Sequence, residues 1–167
     1  PYRRQRQMCI RDSNIVKDVL ENIERYSAAN NHYVFEITET IEMDQIPAVQ
    51  NVFKEFVKNE FRFAIDDFGT GYSNYGYMRD RTFDIVKVDR SFVTDIDKLK
   101  DNYLMVSFII KMAHEMGLHV CIEGVETKEE LSCVKKLGAD YIQGYYYGKP
   151  VCLQDFEEQH LKRFVLG

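Results

Sequence analysis

The sequence predicts an α/β fold with a parallel β-sheet. Short apolar segments recur about every 20 to 35 residues, and each interval holds an amphipathic stretch or a turn. Strands that alternate with helices in this way pair in parallel, because each helix returns the chain to the same end of the sheet. The predicted strands cover residues 33–37, 61–65, 85–88, 119–122 and 141–143.

Helices are predicted between and around these strands, and several have capping residues at their ends. Pro47 suits the first turn of a helix. Gly117 and Gly138 suit the position just after a last turn. Thr127 and Glu130 have the spacing of a capping box. The predicted helices cover residues 15–28, 47–58, 102–116, 128–137 and 153–165.

Composition narrows the classes of function. The chain has 167 residues, which suits one domain, and 45% of them are hydrophobic. A net charge of -5 argues against a nucleic-acid polymer as partner. The sequence contains no run of about 18 apolar residues, the length needed to span a membrane, and no signal peptide is visible. The four cysteines do not have the spacing of a zinc site. We therefore expect a cytoplasmic segment with reduced thiols.

Residues 1–13 differ from the rest of the chain. They are basic, show neither helical nor strand periodicity, and resemble a translated sequencing adapter. We expect a non-native or disordered tail here; a basic tail that binds an acidic partner is the alternative. One domain is expected over residues 14–167.

Polar side chains of functional types lie at the carboxyl ends of all five predicted strands. Parallel strands end on one side of a sheet or barrel, so these groups should converge on one rim, where (β/α) barrels build active sites. Each also has a structural alternative: Lys87 could form a buried salt bridge, Glu126 could cap a helix, and Gln143 could satisfy loop backbone. The rim residues are Glu36, Asp66, Asp67, Lys87, Asp89, Glu123, Glu126 and Gln143.

The residue types at this rim indicate metal-assisted phosphodiester hydrolysis. Carboxylates without Cys or His select hard cations such as Mg²⁺ or Mn²⁺. Two such ions about 3.5–4 Å apart suit phosphoryl chemistry. Lys87 could hold the attacking water or stabilise developing negative charge. The candidate metal ligands are Glu36, Asp66, Asp67 and Glu123.

Several motifs in register resemble the EAL family of cyclic di-GMP phosphodiesterases. The matching runs are residues 36–39, 66–73, 86–92, 123–127, 143–145 and 148–150. The resemblance implies a modified (β/α)₈ TIM-like barrel, of which this chain would carry roughly strands 4–8 with their helices. It also implies hydrolysis of cyclic di-GMP to linear pGpG with two Mg²⁺ or Mn²⁺ ions.

The resemblance implies roles for single residues at the reaction centre. Glu36 and Asp66 would bind metal, with Asp66 shared between the ions, and Asp67 would serve the second ion. Glu123 would bind that ion or activate the water, and Lys87 would contact the attacking water.

Further residues would support this centre. Gln143 would lie close to it, and Glu126 would support the rim. Glu39 would pin a loop that, in the family, couples dimer contacts to metal binding, so a homodimer through the region after Asp67 is implied. The remaining loop or substrate-proximal residues are Phe68, Gly69, Thr70, Gly71 and Asp89.

The chain departs from the family pattern in two ways. Ile122 stands where the family often has Ala, which should affect packing only. The Glu-x-Leu-x-Arg segment and a later Asn ligand, both expected N-terminal to residue 14, are not in the chain. We therefore expect a C-terminal two-thirds of the domain that is poorly stable and nearly inactive by itself, because an open barrel leaves strand edges unpaired. Upstream segments could anchor the parent protein in a membrane.

Two other functions stay open from the sequence. A catalytically inactive relative could act as a cyclic di-GMP receptor or as a protein-docking module, although every family ligand position within this chain is filled. A barrel enzyme acting on sugar phosphates would leave the adjacent Asp66 and Asp67 unexplained.

Overall fold

A computed structural model describes residues 19–21, 33–38, 47–69 and 82–156. Within these ranges five strands form one sheet in the order β1-β2-β3-β4-β5, and every neighbouring pair is parallel. The sequential order and the intervening helices confirm the predicted α/β fold and fit part of a (β/α)₈ barrel. The strands are β1 (Val34–Thr38), β2 (Arg62–Phe68), β3 (Ile85–Val88), β4 (His119–Ile122) and β5 (Tyr141–Ile142).

The helices begin and end where local capping chemistry allows. The predicted capping box is present: the Thr127 hydroxyl accepts from the Glu130 N–H at 3.1 Å, and Glu130 Oε2 accepts from the Thr127 N–H at 3.1 Å. Gly138 ends that helix in the left-handed conformation. The helices are α1 (Pro47–Lys58), α2 (Lys100–Glu115), α3 (Lys128–Leu137) and α4 (Leu153–Phe156), with a 3₁₀ helix over Arg90–Phe92.

Several predicted boundaries were wrong, and the first strand is shifted by one residue to Val34–Thr38. The second strand continues past Ile65 to Phe68, because after a bulge the chain pairs with β3 again and Phe68 is buried. The fifth strand ends at Ile142 rather than at residue 143. Helix α2 starts at Lys100, two residues before the predicted start. The helix predicted over residues 15–28 is described only at 19–21, and the last helix only to Phe156.

Phenylalanine side chains fill the core between α1 and the first two strands. The rings of Phe53 and Phe63 stack with centroids 4.7 Å apart, and Phe56 meets Phe61 edge to face at 5.3 Å. Helix α2 packs against β4 and buries a face that includes Val106 and Ile110 in the core. This packing fixes the strands whose carboxyl ends carry the predicted rim residues.

Alternation along β3 separates the core from the candidate site. Val86 and Val88 belong to the buried core cluster, so Lys87 between them lies on the opposite face of the sheet. That opposite face also carries Glu36 and Asp66, which both contact Lys87. In the described part of the chain, no helix has the length and apolar character needed to cross a bilayer.

Candidate functional site

Predicted rim residues from the first, second and fourth strands meet around the ammonium group of Lys87 on the third. Glu36 lies on β1, Asp66 on β2 and Lys87 on β3, and Glu123 follows β4 directly. Their meeting follows from the parallel topology, which brings the carboxyl ends of neighbouring strands side by side.

A bulge in β2 brings the two adjacent aspartates together. In a regular strand, neighbouring side chains point to opposite faces. Here the pairing with β3 shifts register between Ile65 and Phe68, and Asp67 has a φ of 55°. This left-handed conformation is uncommon for a residue other than Gly, although Asp tolerates it better than most. Carboxylate oxygens of Asp66 and Asp67 consequently lie within 4.8 Å of each other.

Lys87 is the centre of a buried ion-pair network. Its Nζ lies 2.7 Å from Asp66 Oδ1, 2.8 Å from Glu36 Oε1 and 2.9 Å from Glu123 Oε1. Only 4% of Lys87 is exposed. The salt bridge considered as the structural alternative for Lys87 is therefore present, and it joins three strands of the sheet.

These contacts set the charge of Lys87. Burial alone would lower its pKa, but hydrogen bonds to Asp66, Glu36 and Glu123 outweigh burial and hold the pKa of Lys87 above its ordinary value. Lys87 is therefore a protonated donor at neutral pH and cannot accept a proton.

The single positive charge of Lys87 does not balance the four carboxylates grouped around it. Burial raises the pKa of Glu123, and the contact with Lys87 only partly offsets this. Burial and the neighbouring Asp66 carboxylate raise the pKa of Asp67. One ammonium group leaves most of the charge of Glu36, Asp66, Asp67 and Glu123 uncompensated. A divalent cation would relieve this repulsion.

Three of the four predicted metal ligands fit around such a cation. Asp66, Asp67 and Glu123 each offer an oxygen within 4.8 Å of the others. An all-oxygen donor set of this kind suits Mg²⁺ or Mn²⁺. Glu36 is not in this three-carboxylate group, although, like Asp66 and Glu123, it contacts Lys87.

Other predicted rim residues lie in the loops next to this group. Asp89 caps the 3₁₀ helix by accepting from the Ser91 N–H at 2.9 Å; hydrogen bonds from Ser91 outweigh burial and lower the pKa of Asp89. Glu126 forms an ion pair with Arg90 at 3.1 Å. Gln143 is exposed, and its backbone joins β4 to β5 through hydrogen bonds with Ile122 and Val125.

The predicted loop after Asp67 needs one correction. Phe68 belongs to β2 and is 2% exposed, because it packs into the core rather than into a loop. Gly69 follows in a turn at φ 95°, where a Cβ atom would lie 2.8 Å from the Phe92 ring. Glu39, Thr70 and Gly71 lie outside the described residues.

Two residues near the site were missed by the sequence reasoning. Cys121 pairs in register with Lys87, and burial raises the pKa of its thiol to about 11, so the thiol is protonated. Arg90 contacts the segment that follows Glu123. Its position directly after Asp89 was the available signal, but an exposed arginine in a polar loop has no distinctive pattern.

Known proteins resemble this chain in sequence and in fold. The model of the EAL domain matches residues 4–150. The cyclic di-GMP phosphodiesterase PdeL of Escherichia coli is 31% identical over 145 residues, which cover 86% of this chain and 40% of PdeL. The curated relatives are longer than this chain, which spans as little as 15% of another of them.

Solved structures show the same architecture. The EAL enzyme Bd1971, bound to cAMP and cyclic di-GMP, superposes with a TM-score of 0.82 at 33% identity. The matched region covers 89% of this chain and 39% of the Bd1971 chain. BlrP1 of Klebsiella pneumoniae, in a manganese and cyclic di-GMP complex, superposes with a TM-score of 0.75 at 27% identity. The matched region covers 84% of this chain and 36% of the BlrP1 chain. The family match over most of the chain and the shared fold lead to one conclusion: this chain belongs to the EAL domain family.

Proposed function

We propose that this chain is the C-terminal part of a domain that hydrolyses cyclic di-GMP to linear pGpG. The observation that carries the proposal is the group of Asp66, Asp67 and Glu123 beside the buried Lys87. The names of its relatives support the substrate, since PdeL is a cyclic di-GMP phosphodiesterase.

Asp66, Asp67 and Glu123 would hold divalent cations, with Asp66 shared between two of them and Glu36 completing the set from β1. When bound, Mg²⁺ or Mn²⁺ lowers the pKa of a water molecule and neutralises charge on the phosphate. The bulge supports this assignment, because it brings the carboxylates of Asp66 and Asp67 close together.

Lys87 would act as a fixed hydrogen-bond donor. Its contacts with three carboxylates keep it protonated and hold its ammonium group at the carboxyl ends of the strands. From that position its positive charge can stabilise a phosphate oxygen as negative charge develops. All three of its N–H groups are engaged by carboxylates, so it can donate to the attacking water only once one of these carboxylates turns toward a cation. Hydrolysis adds the water oxygen to phosphorus and breaks one phosphodiester bond, which opens the ring to a linear dinucleotide.

Two further features belong to the proposal. The parent domain would act in the cytoplasm, where reduced cysteines such as Cys121 and Cys133 persist. It would form a homodimer through the region after Asp67. Size-exclusion chromatography with light scattering tests the dimer, and a monomer at micromolar concentration would contradict it.

The test is turnover of cyclic di-GMP by the protein expressed from the complete reading frame that contains this chain. Asp66→Asn should lower kcat by more than about 100-fold, since even the outer partners of metal ligands cost 10- to 100-fold when removed. Asp101→Asn, at an exposed position on α2, is the matched control and should leave kcat unchanged.

Unchanged turnover in Asp66→Asn would refute the metal assignment. Cyclic di-GMP affinity that persists in EDTA, without any linear product in Mg²⁺ or Mn²⁺, would favour the inactive receptor instead.

A further inference from the structure

Arg90 connects the strand that carries Lys87 to the segment that follows Glu123. It lies two residues after the end of β3 and opens the 3₁₀ helix that Asp89 caps. Its guanidinium Nη2 lies 3.1 Å from Glu126 Oε1. An ion pair therefore joins the loop after β3 to the loop after β4.

The aliphatic part of Arg90 makes a second contact. Gly124 has a φ of 73°, and a Cβ atom at this position would collide with Cβ and Cγ of Arg90. The backbone of Gly124 therefore lies directly against the arginine side chain, and the absence of a side chain at 124 permits this approach. Gly124 is the residue next to Glu123.

The other side of the same segment is held by the residues that follow β5. The Val125 N–H donates to the Gln143 carbonyl at 3.2 Å, and the Tyr146 N–H donates to the Val125 carbonyl at 3.0 Å. The Glu123 N–H itself donates to the Val88 carbonyl at 3.1 Å. The first two bonds fix the backbone on the β5 side, the Glu123 bond fixes it to the end of β3, and Arg90 adds side-chain contacts on the β3 side.

We propose that Arg90 is a positioning residue that holds Glu123 in place beside Lys87 and Asp66. The inference rests on the proposed phosphodiesterase function, because the role of Glu123 depends on it. Arg90 acts through Gly124 and Glu126 and does not itself touch the reacting atoms.

The expected effects on stability and on catalysis differ in size. The side chains of Arg90 and Glu126 are 57% and 37% exposed, and an ion pair at such a position contributes little to stability because solvent screens it. A displacement of about 1 Å at a catalytic group, by contrast, can lower the rate about 100-fold. A positioning role therefore predicts a large loss of kcat with little loss of stability.

The experiment compares variants of the complete protein by kcat, KM, unfolding free energy and Mn²⁺ affinity from isothermal titration. Arg90→Ala should lower kcat about 10- to 100-fold, weaken Mn²⁺ binding, and change KM less than about 2-fold. Arg90→Lys, which keeps the stem and a charge, should recover most of kcat. Arg90→Met and Glu126→Gln each remove the ion pair but keep the contact with Gly124, so their combination should cost no more than either alone.

The matched control is Lys98→Met. Lys98 forms an exposed ion pair with Asp95 at 2.6 Å, and neither residue belongs to the three-carboxylate group, so its loss should leave kcat and Mn²⁺ affinity unchanged. Wild-type kcat in Arg90→Ala would overturn the inference. A rise in KM alone would also overturn it, because Arg90 would then bind substrate directly.

The inference and the proposed function fail in different ways. If the unaltered protein neither binds Mn²⁺ nor forms pGpG, the proposed function fails. If the unaltered protein is active and the Arg90 variants match it, only the positioning role fails. Where Arg90→Ala does not fold, Arg90→Met and Glu126→Gln decide, and wild-type kcat with wild-type Mn²⁺ affinity in both would overturn the positioning role.

Discussion

Replacing Lys87 by Met separates the structural role of this residue from its catalytic role. The substitution removes one ammonium group that three carboxylates contact at 2.7–2.9 Å, at a position only 4% exposed. Removing one partner of a buried ion pair costs about 3–5 kcal/mol, because the remaining charge is left unpaired. The carboxylates here keep some contact with solvent, so we expect about 3 kcal/mol in metal-free buffer.

Divalent cations should offset much of that loss. With Lys87 absent, the same carboxylates are more negative and should bind Mn²⁺ more tightly than in the unaltered protein. Saturation at 100 times the dissociation constant stabilises a folded protein by about 2.7 kcal/mol. Lys87→Met should therefore be unstable in EDTA, largely restored in Mn²⁺, and still deficient in turnover.

Urea unfolding followed by circular dichroism, in EDTA and in Mn²⁺, measures both effects. Lys111→Met is the control: Lys111 is exposed on α2, and its loss should change the unfolding free energy by less than about 0.5 kcal/mol. A destabilisation of Lys87→Met below about 1 kcal/mol, or weaker Mn²⁺ binding than in the unaltered protein, would refute the reasoning.

Three further predictions concern the framework. Glu130→Ala should cost about 2–4 kcal/mol in urea unfolding, since the N–H groups of Asp95, Glu126 and Thr127 lose a buried carboxylate acceptor; a loss under 0.5 kcal/mol would contradict this. Burial would raise the pKa of Glu130, but hydrogen bonds from Glu126 outweigh it, so the folded pKa lies below 4.5. The stability from Glu130 is then complete above about pH 5 and is lost as pH falls through the folded pKa, and Glu130→Gln should flatten this acid limb of the unfolding free energy. Phe63→Ala should lower the unfolding free energy by about 3–5 kcal/mol because it leaves a cavity among the packed phenylalanine rings. Thermal unfolding followed by circular dichroism should show the loss as a lower Tm.

The sequence was most informative where local chemistry decides structure. The capping box at Thr127 and Glu130 needs only neighbouring residues, and helix α3 formed over the predicted range of 128–137. The alternation of strands and helices likewise predicted the parallel sheet, because the topology of βα units leaves few alternatives.

The sequence was less informative where distant residues decide structure. The bulge at Asp66 and Asp67 depends on pairing with β3, so a strand ending at Ile65 was predicted although β2 continues to Phe68. The contact between Arg90 and Gly124 joins two loops far apart in the chain, and no local pattern reports it.

The candidate site was predictable in part from the sequence. The convergence of Asp66, Lys87 and Glu123 could be predicted from strand order alone. Whether the Glu36 side chain comes close enough to join the group of Asp66, Asp67 and Glu123 depends on side-chain conformation, which a sequence pattern does not contain. The roles of Glu39, Thr70 and Gly71 stay predictions, since these residues lie outside the described part of the chain.

The metal dependence of cyclic di-GMP turnover by the complete protein, with products separated by liquid chromatography, tests the metal site directly. We expect linear pGpG in Mg²⁺ or Mn²⁺ and none in EDTA. Equal turnover in EDTA, or bound but uncleaved cyclic di-GMP in both metals, would contradict the assignment of Asp66, Asp67 and Glu123 as a metal site for phosphodiester hydrolysis.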